Sequence, residues 1–232
     1  MQFIEFEQYK VTADDEIIGV DEVGVGDYFG PLVAAAVFIP NINKESILKL
    51  GVRDSKKIND SNILKIAPKI KSLCTWGVYV LTPNGYNNMS RYNNANELKM
   101  FAHLNAIEKI INKIEFFQYI FIDKYSTTNS MQKYFNKFKG PNSFVKFSDF
   151  SQNIILANKA ESLSIEVACA SILAREAFLI RMQELNRQYN INFPFGAGNV
   201  VKEFAFNLWK TRPDIDPKLV CKNTFKMDLS SD

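Results

Sequence analysis

Asp21 and Glu22 stand side by side at the end of an apolar run, Ile17-Ile18-Gly19-Val20, and are followed by Gly24, Gly26 and Gly30. Two adjacent carboxylates repel each other and resist leaving water, so a cation or abundant solvent must offset them. A regular strand would send the two side chains to opposite faces. Both can reach one cation only if the strand ends or bulges there, and Gly24 and Gly26 supply the freedom for that. A solvated strand end is the competing reading of the pair. A dinucleotide fingerprint on the three glycines fails on context. The acids precede the glycines, and Pro31 and a second strand follow, so no helix N-terminus is left for a pyrophosphate.

Asp123 closes a second apolar run, QYIFID, the place where α/β sheets carry functional groups at their carboxyl edge. It reads equally as a turn or N-cap aspartate ahead of Ser126. Glu161 lies at the start of a long helical stretch, where a glutamate also serves simply as a partner for the helix dipole. Glu166 competes with it; Glu161 is favoured because a helix terminus can lean into a cleft, whereas Glu166 is flanked by core-like Ile165 and Val167. Asp54-Ser55-Lys56-Lys57 forms a basic loop whose lysines are either solvated or in contact with phosphates. His103, the only histidine, sits in an apolar helical pattern and reads as a core or surface residue, which leaves histidine-led triads without support.

These positions need a frame. Strands are expected at Ile17–Val23, Leu32–Ile39, Thr75–Leu81, Gln118–Asp123 and a short Phe144–Phe147. Helices are expected from Asp60 or Ser61 to about Ser72 with an interruption near Pro68, over Asn94–Ile114 with Asn93 or Asn94 as cap, over Ser126–Phe138, over Ser164–Asn186 and near Val200–Lys210. Strands alternating with helices imply an α/β fold with a mixed five-stranded sheet flanked by helices. One domain over 1–232 is expected, with residues 1–16 as a lead-in and 190–232 as a C-terminal helical extension.

The 232 residues are 47% hydrophobic and 23% charged, with a formal net charge of +3, a mild excess that suits nucleic acid without requiring it. Three scattered cysteines, Cys74, Cys169 and Cys221, read as thiols in a reducing compartment rather than a disulfide framework or a zinc site. The start MQFIEFEQYK lacks the pattern of a secretion signal, and no apolar run approaches the roughly 20 residues of a membrane helix. A soluble cytoplasmic protein is expected.

Taken in order, VDEVGVGDYFGPLVAAAV, GVRDSKK, NNMSRYNNANELKMFAHLNAI, IFIDKY and KAESLSIEVACASILAR resemble the type 2 ribonucleases H, and among them bacterial ribonuclease HIII. The resemblance spans about Ile18 to Gly198. It implies a ribonuclease H-like fold and endonucleolytic cleavage of RNA in RNA–DNA hybrids, leaving 3′-hydroxyl and 5′-phosphate ends. It assigns Asp21, Glu22, Asp123 and Glu161 as metal ligands and catalytic acids for Mg²⁺ or Mn²⁺, two ions acting during catalysis. It implies that Gly24, Val25 and Gly26 follow the minor groove with their backbone, where 2′-hydroxyls mark the RNA strand. Ser55, Lys56, Lys57 and Asn94 join the substrate-binding residues on the same footing.

Two departures bear on the grip. Ribonuclease HIII usually carries an N-terminal domain resembling the TATA-binding protein, and only residues 1–16 precede the first expected strand here. Phe195 stands where the family tends to have lysine. Weaker hybrid binding with a shallow salt dependence is therefore expected from a monomer. The alternatives are incision at single ribonucleotides in duplex DNA, as in ribonuclease HII, and a non-catalytic hybrid-binding module.

Overall fold

The computed structural model describes residues 1–9, 12, 15–52, 58–141, 143–225 and 227. In chain order the elements are β1 Phe3–Glu5, β2 Ile17–Val23, β3 Leu32–Phe38, α1 Lys44–Leu48, α2 Asp60–Leu73, β4 Thr75–Leu81, α3 Pro83–Met89, α4 Ala95–Ile111, β5 Tyr119–Asp123, α5 Thr128–Lys139, β6 Asn153–Ala157, α6 Ile165–Tyr189, α7 Asn199–Thr211 and α8 Pro217–Val220.

Among the described residues the strands form one six-stranded sheet in the order β1-β6-β5-β2-β3-β4. β2, β3 and β4 pair antiparallel as a meander, whereas β5 runs parallel to β2 and β6. β2, β3 and β5 are apolar almost throughout because both sheet faces are covered. One face packs on α6 and α2 through Val33, Ala35, Val37, Ala67 and Leu173; the other packs on α4 and α5 through Val20, Ala34, Leu104, Ile107 and Phe135.

Two expected features are corrected. Phe144–Phe147 is not a strand: Phe144 is exposed and stacks on Phe101 instead of joining a ladder. The strand there is β6, and β1 adds parallel to its outer side, so the sheet has six strands rather than five. Pro68 does not interrupt α2, which runs on to Leu73. The lost backbone bond is offset by burial of Ile63, Ala67 and Ile70 on one face.

The helix caps follow local chemistry. Asn94 and Glu97 close a full capping box on α4, Ser164 caps α6, and Thr127 caps α5. Asn190 ends α6 in the left-handed conformation. Cys74, Cys169 and Cys221 are free thiols.

Candidate active site

Parallel pairing of β2 with β5 matches Val20 with Ile122, so one further step sets Asp21 beside Asp123 at the carboxyl edge. Asp21 is buried; its Oδ1 accepts the Glu22 N–H at 2.8 Å, and Ser171 of α6 hydrogen-bonds the same carboxylate. Burial, followed by the neighbouring charges of Glu22 and Asp123, pushes the Asp21 carboxyl well above the usual range. Asp123 Oδ1 accepts the Ala160 N–H at 2.8 Å. That bond brings the 3-10 turn Ala160–Ser162, which carries the buried Glu161, up to the end of β5. Lys159, at φ 55°, makes the bend that admits it.

Glu22 turns the other way. The β2–β3 register is unbroken through Val23↔Val33, so there is no bulge, and Glu22 reaches the α4 face while Asp21 meets α6. Its Oε1 lies 3.1 Å from Lys99 Nζ and its Oε2 2.7 Å from His103 Nε2. Burial would raise this carboxyl, yet the His103 and Lys99 contacts bring it down to about 2. Of the two ways the acids could share a cation, a bulge is absent, and the strand instead ends just beyond them, where Gly24, at φ 92°, turns the chain after Val23. Among the described residues no three acid, histidine or cysteine side chains close into a cage for a metal ion.

Glu166 belongs elsewhere. It is buried at the start of α6 against Gly19, accepts from the Ser164 hydroxyl at 2.8 Å, and lies 3.7 Å from Lys44 Nζ. Gly19 pairs with Phe121, short of the carboxyl edge. Of the two competing glutamates, Glu161 is the one beside Asp123.

The glycine turn sits next to these acids. A side chain at Gly24 would collide with the Pro31 carbonyl at 2.2 Å, whereas Gly26 faces open space. Val25 is half-buried between them. The turn is braced from the far end of the chain: Tyr28 N–H donates to the Gly196 carbonyl, Gly30 N–H to Val220, and Lys222 N–H to Tyr28. The Lys222 ammonium is fully buried and donates to the Asp27 and Gly30 carbonyls at 2.7 Å each. Burial lowers its pKa to about 7.

A cleft of about 280 Å³ opens beside β2 between α2 and α6, lined by Glu22, Val23, Asp60, Ser171 and Arg175 among others. Arg175 makes a two-pronged ion pair with Asp60, both contacts at 2.9 Å, and packs its guanidinium over Phe178 and the half-exposed Phe195. Ser55, Lys56 and Lys57 lie outside the described residues. The Asn94 side-chain oxygen accepts the Glu97 N–H at 3.0 Å in the α4 cap. Residues that sequence reasoning missed are Lys99, Ser171, Arg175 and Lys222. Lys99 carried a partial signal, since Lys99 and His103 are four apart on one helix face and can share a partner. Lys222 carried no signal.

Against known proteins, residues 18–227 match the profile of the family described as Ribonuclease HII. Ribonuclease HIII of Lysinibacillus sphaericus is 34% identical over 84% of this chain and 61% of its own length. Ribonuclease HIII of Leuconostoc mesenteroides is 35% identical over 93% of this chain and 71% of its own length. The chain thus spans about three-fifths to seven-tenths of these two curated relatives. A crystal structure of Bst-RNase HIII in complex with Mn²⁺ superposes with a TM-score of 0.82 at 32% identity, over 91% of this chain and 67% of that one.

Proposed function

The chain belongs to the ribonuclease HII family, among its ribonuclease HIII members, and from that premise we propose that it is an endoribonuclease that hydrolyses the RNA strand of RNA–DNA hybrids. The observation that carries this is the placement of Asp21, buried, and Asp123, half-buried, one step beyond the last paired residues of two parallel strands, with charges that repel. Such a pair holds protons or a cation. An all-oxygen donor set of Asp21, Glu22, Asp123 and Glu161 fits a hard divalent ion, Mg²⁺ or Mn²⁺, better than zinc. Bound there, one or two such ions would activate water and offset charge on the phosphate.

The chain's own residues orient and exclude. Gly24, Val25 and Gly26 offer backbone groups at a point where Gly26 leaves room for close approach, which suits reading the 2′-hydroxyls of an RNA strand. Ser171 and the Ala160 N–H hold Asp21 and Asp123 in place by one hydrogen bond each. Ser55, Lys56, Lys57 and Asn94 complete the grip on phosphates in this reading. Phe195, packed on Phe178, presents an apolar face where an ammonium would add a phosphate contact. Residues 1–232 act as one catalytic unit, as the bracing of the glycine turn by residues 220–222 supports. We take the enzyme to be a cytoplasmic monomer; no helix of the described residues is long and apolar enough to cross a membrane.

The test is cleavage of end-labelled RNA–DNA hybrid, and of a duplex holding one ribonucleotide, with Mg²⁺ or Mn²⁺. Cleavage of the hybrid is expected, and is lost on Asp21→Asn or Asp123→Asn. Intact hybrid in both metals would refute the proposal, and cutting of the single-ribonucleotide duplex alone would replace it with the ribonuclease HII-like activity.

A further inference from the structure

His103 is an uneconomical residue for its place. Its ring is wholly buried in a helix whose neighbouring inward positions are Leu98, Phe101, Leu104 and Ile107, and among the described residues its Nδ1 meets no hydrogen-bond partner. An unsatisfied buried nitrogen lowers stability, so packing alone does not explain a histidine here. The hydrogen bond that its ring makes is to Glu22 Oε2 at 2.7 Å. With Nδ1 bare, the proton of a neutral ring sits on Nε2 and is donated to that carboxylate.

Lys99, one turn earlier on the same face, takes the other oxygen at 3.1 Å, its ammonium resting 4.5 Å over the Tyr125 ring. Tyr125 also packs edge-on against His103, at 5.6 Å between centroids. Tyr125 follows Asp123 by two residues, so this one ring ties the loop after β5 to the clamp. Each carboxylate oxygen of Glu22 thus receives one donor and keeps a further lone pair for another partner.

We propose that Lys99 and His103 are positioning residues that hold Glu22 in the place from which it serves the Asp21–Asp123 edge. The inference rests on the divalent-ion reading of that edge. It deepens that reading by assigning the orientation of one carboxylate to α4, whose face toward the sheet is set by the burial of Leu104 and Ile107. Donors behind a ligating group typically change metal affinity by about 10- to 100-fold.

The test is a double-mutant cycle read by Mn²⁺ binding, with free Mn²⁺ followed by electron paramagnetic resonance in the absence of nucleic acid. His103→Ala is expected to weaken Mn²⁺ binding about 10- to 100-fold, and His103→Gln, which keeps a donor, to recover part of that. In a Glu22→Gln background His103→Ala should add less than about twofold, because its partner's charge is already gone. A purely structural role would give effects that multiply. Wild-type affinity in His103→Ala, or full multiplication in the double variant, would overturn the inference. If His103→Ala does not fold, the same cycle is run with His103→Gln and judged by the same multiplication. Failure of the wild-type protein to bind Mn²⁺ is a separate outcome, and it removes the divalent-ion reading itself.

Discussion

Gly19→Ala should damage stability and catalysis together, because Gly19 is where α6 touches the sheet. A methyl group there would stand 2.3 Å from the Val167 nitrogen and 2.4 Å from the Glu166 carbonyl carbon. Both are backbone atoms, so no rotamer change relieves the clash. Ordinary contact begins at 3.4 Å, so helix and strand must part by about 1.1 Å. Overpacking of a stiff core costs about 1–3 kcal/mol, and a backbone clash belongs at the upper end. At about 2–4 °C per kcal/mol for a chain of this size, the melting temperature should fall by roughly 8 °C. The same displacement moves Ser171 away from Asp21, and a misplacement of about 1 Å can slow chemistry by about 100-fold. Urea unfolding followed by the fluorescence of Trp76 and Trp209 measures the first effect, and kcat on a saturating hybrid the second. Gly26→Ala is the control for stability: nothing lies within 4 Å of its added methyl, so it should unfold within about 0.5 kcal/mol of wild type. A loss below about 1 kcal/mol in Gly19→Ala, or an unchanged kcat in a clearly destabilised variant, would refute the reasoning.

Without divalent ions, Asp21→Asn should be more stable than wild type at pH 7. A raised folded pKa means the wild type loses stability as pH climbs from the ordinary aspartate value through the raised one, and the amide has no charge to bury; parallel urea curves from pH 4 to 8 check it. Glu161→Gln should cost more than about 100-fold in cleavage rate, the scale of losing an oriented charged group, with little change in stability. Glu166→Gln should keep cleavage within about threefold and raise neutral-pH stability, since burial lifts that carboxyl too; the opposite pattern in the two rates would exchange their roles. Lys222 has a folded pKa lowered to about 7, so wild-type stability should rise as pH goes from about 7 toward 10.5, the unfolded state holding the extra proton. Lys222→Met should flatten that rise, and an equally steep rise in the variant would show that another group titrates.

What was legible in the sequence was local or periodic. β2 and β4 are legible to the residue, and the capping box on α4 is visible as side-chain types at a fixed offset. β1 and β6 are not, because each is short and the two are stabilised by pairing parallel across most of the chain. Phe144–Phe147 has strand composition but resides among Phe101 and Phe138, where aromatic stacking replaces ladder bonds. In the site, Asp21, Asp123 and Glu161 could be picked out from their place at element ends. The orientation of Glu22 could not, since it depends on whether β2 bulges, and that is decided by β3 continuing its register to Val33.

The parts of the site share one ruler. Val167 lies against Gly19, Ser171 against Asp21, Arg175 against Asp60, Phe178 against Gly24, and Met182 against Gly30. These positions advance by steps of four and three, so they form one stripe along α6. A polar serine and an arginine interrupt its apolar character, and the first half of the helix is buried on several sides, so the stripe has no clear amphipathic signature. Asp21, the cleft and the glycine turn are therefore spaced by the 1.5 Å rise of a helix rather than by loops. Substitutions along the stripe should disturb metal binding and hybrid binding together, whereas substitutions on the solvent face of α5 should disturb neither. Separable effects along α6 would mean that the turn and the acids are set independently, by the C-terminal brace and by α4.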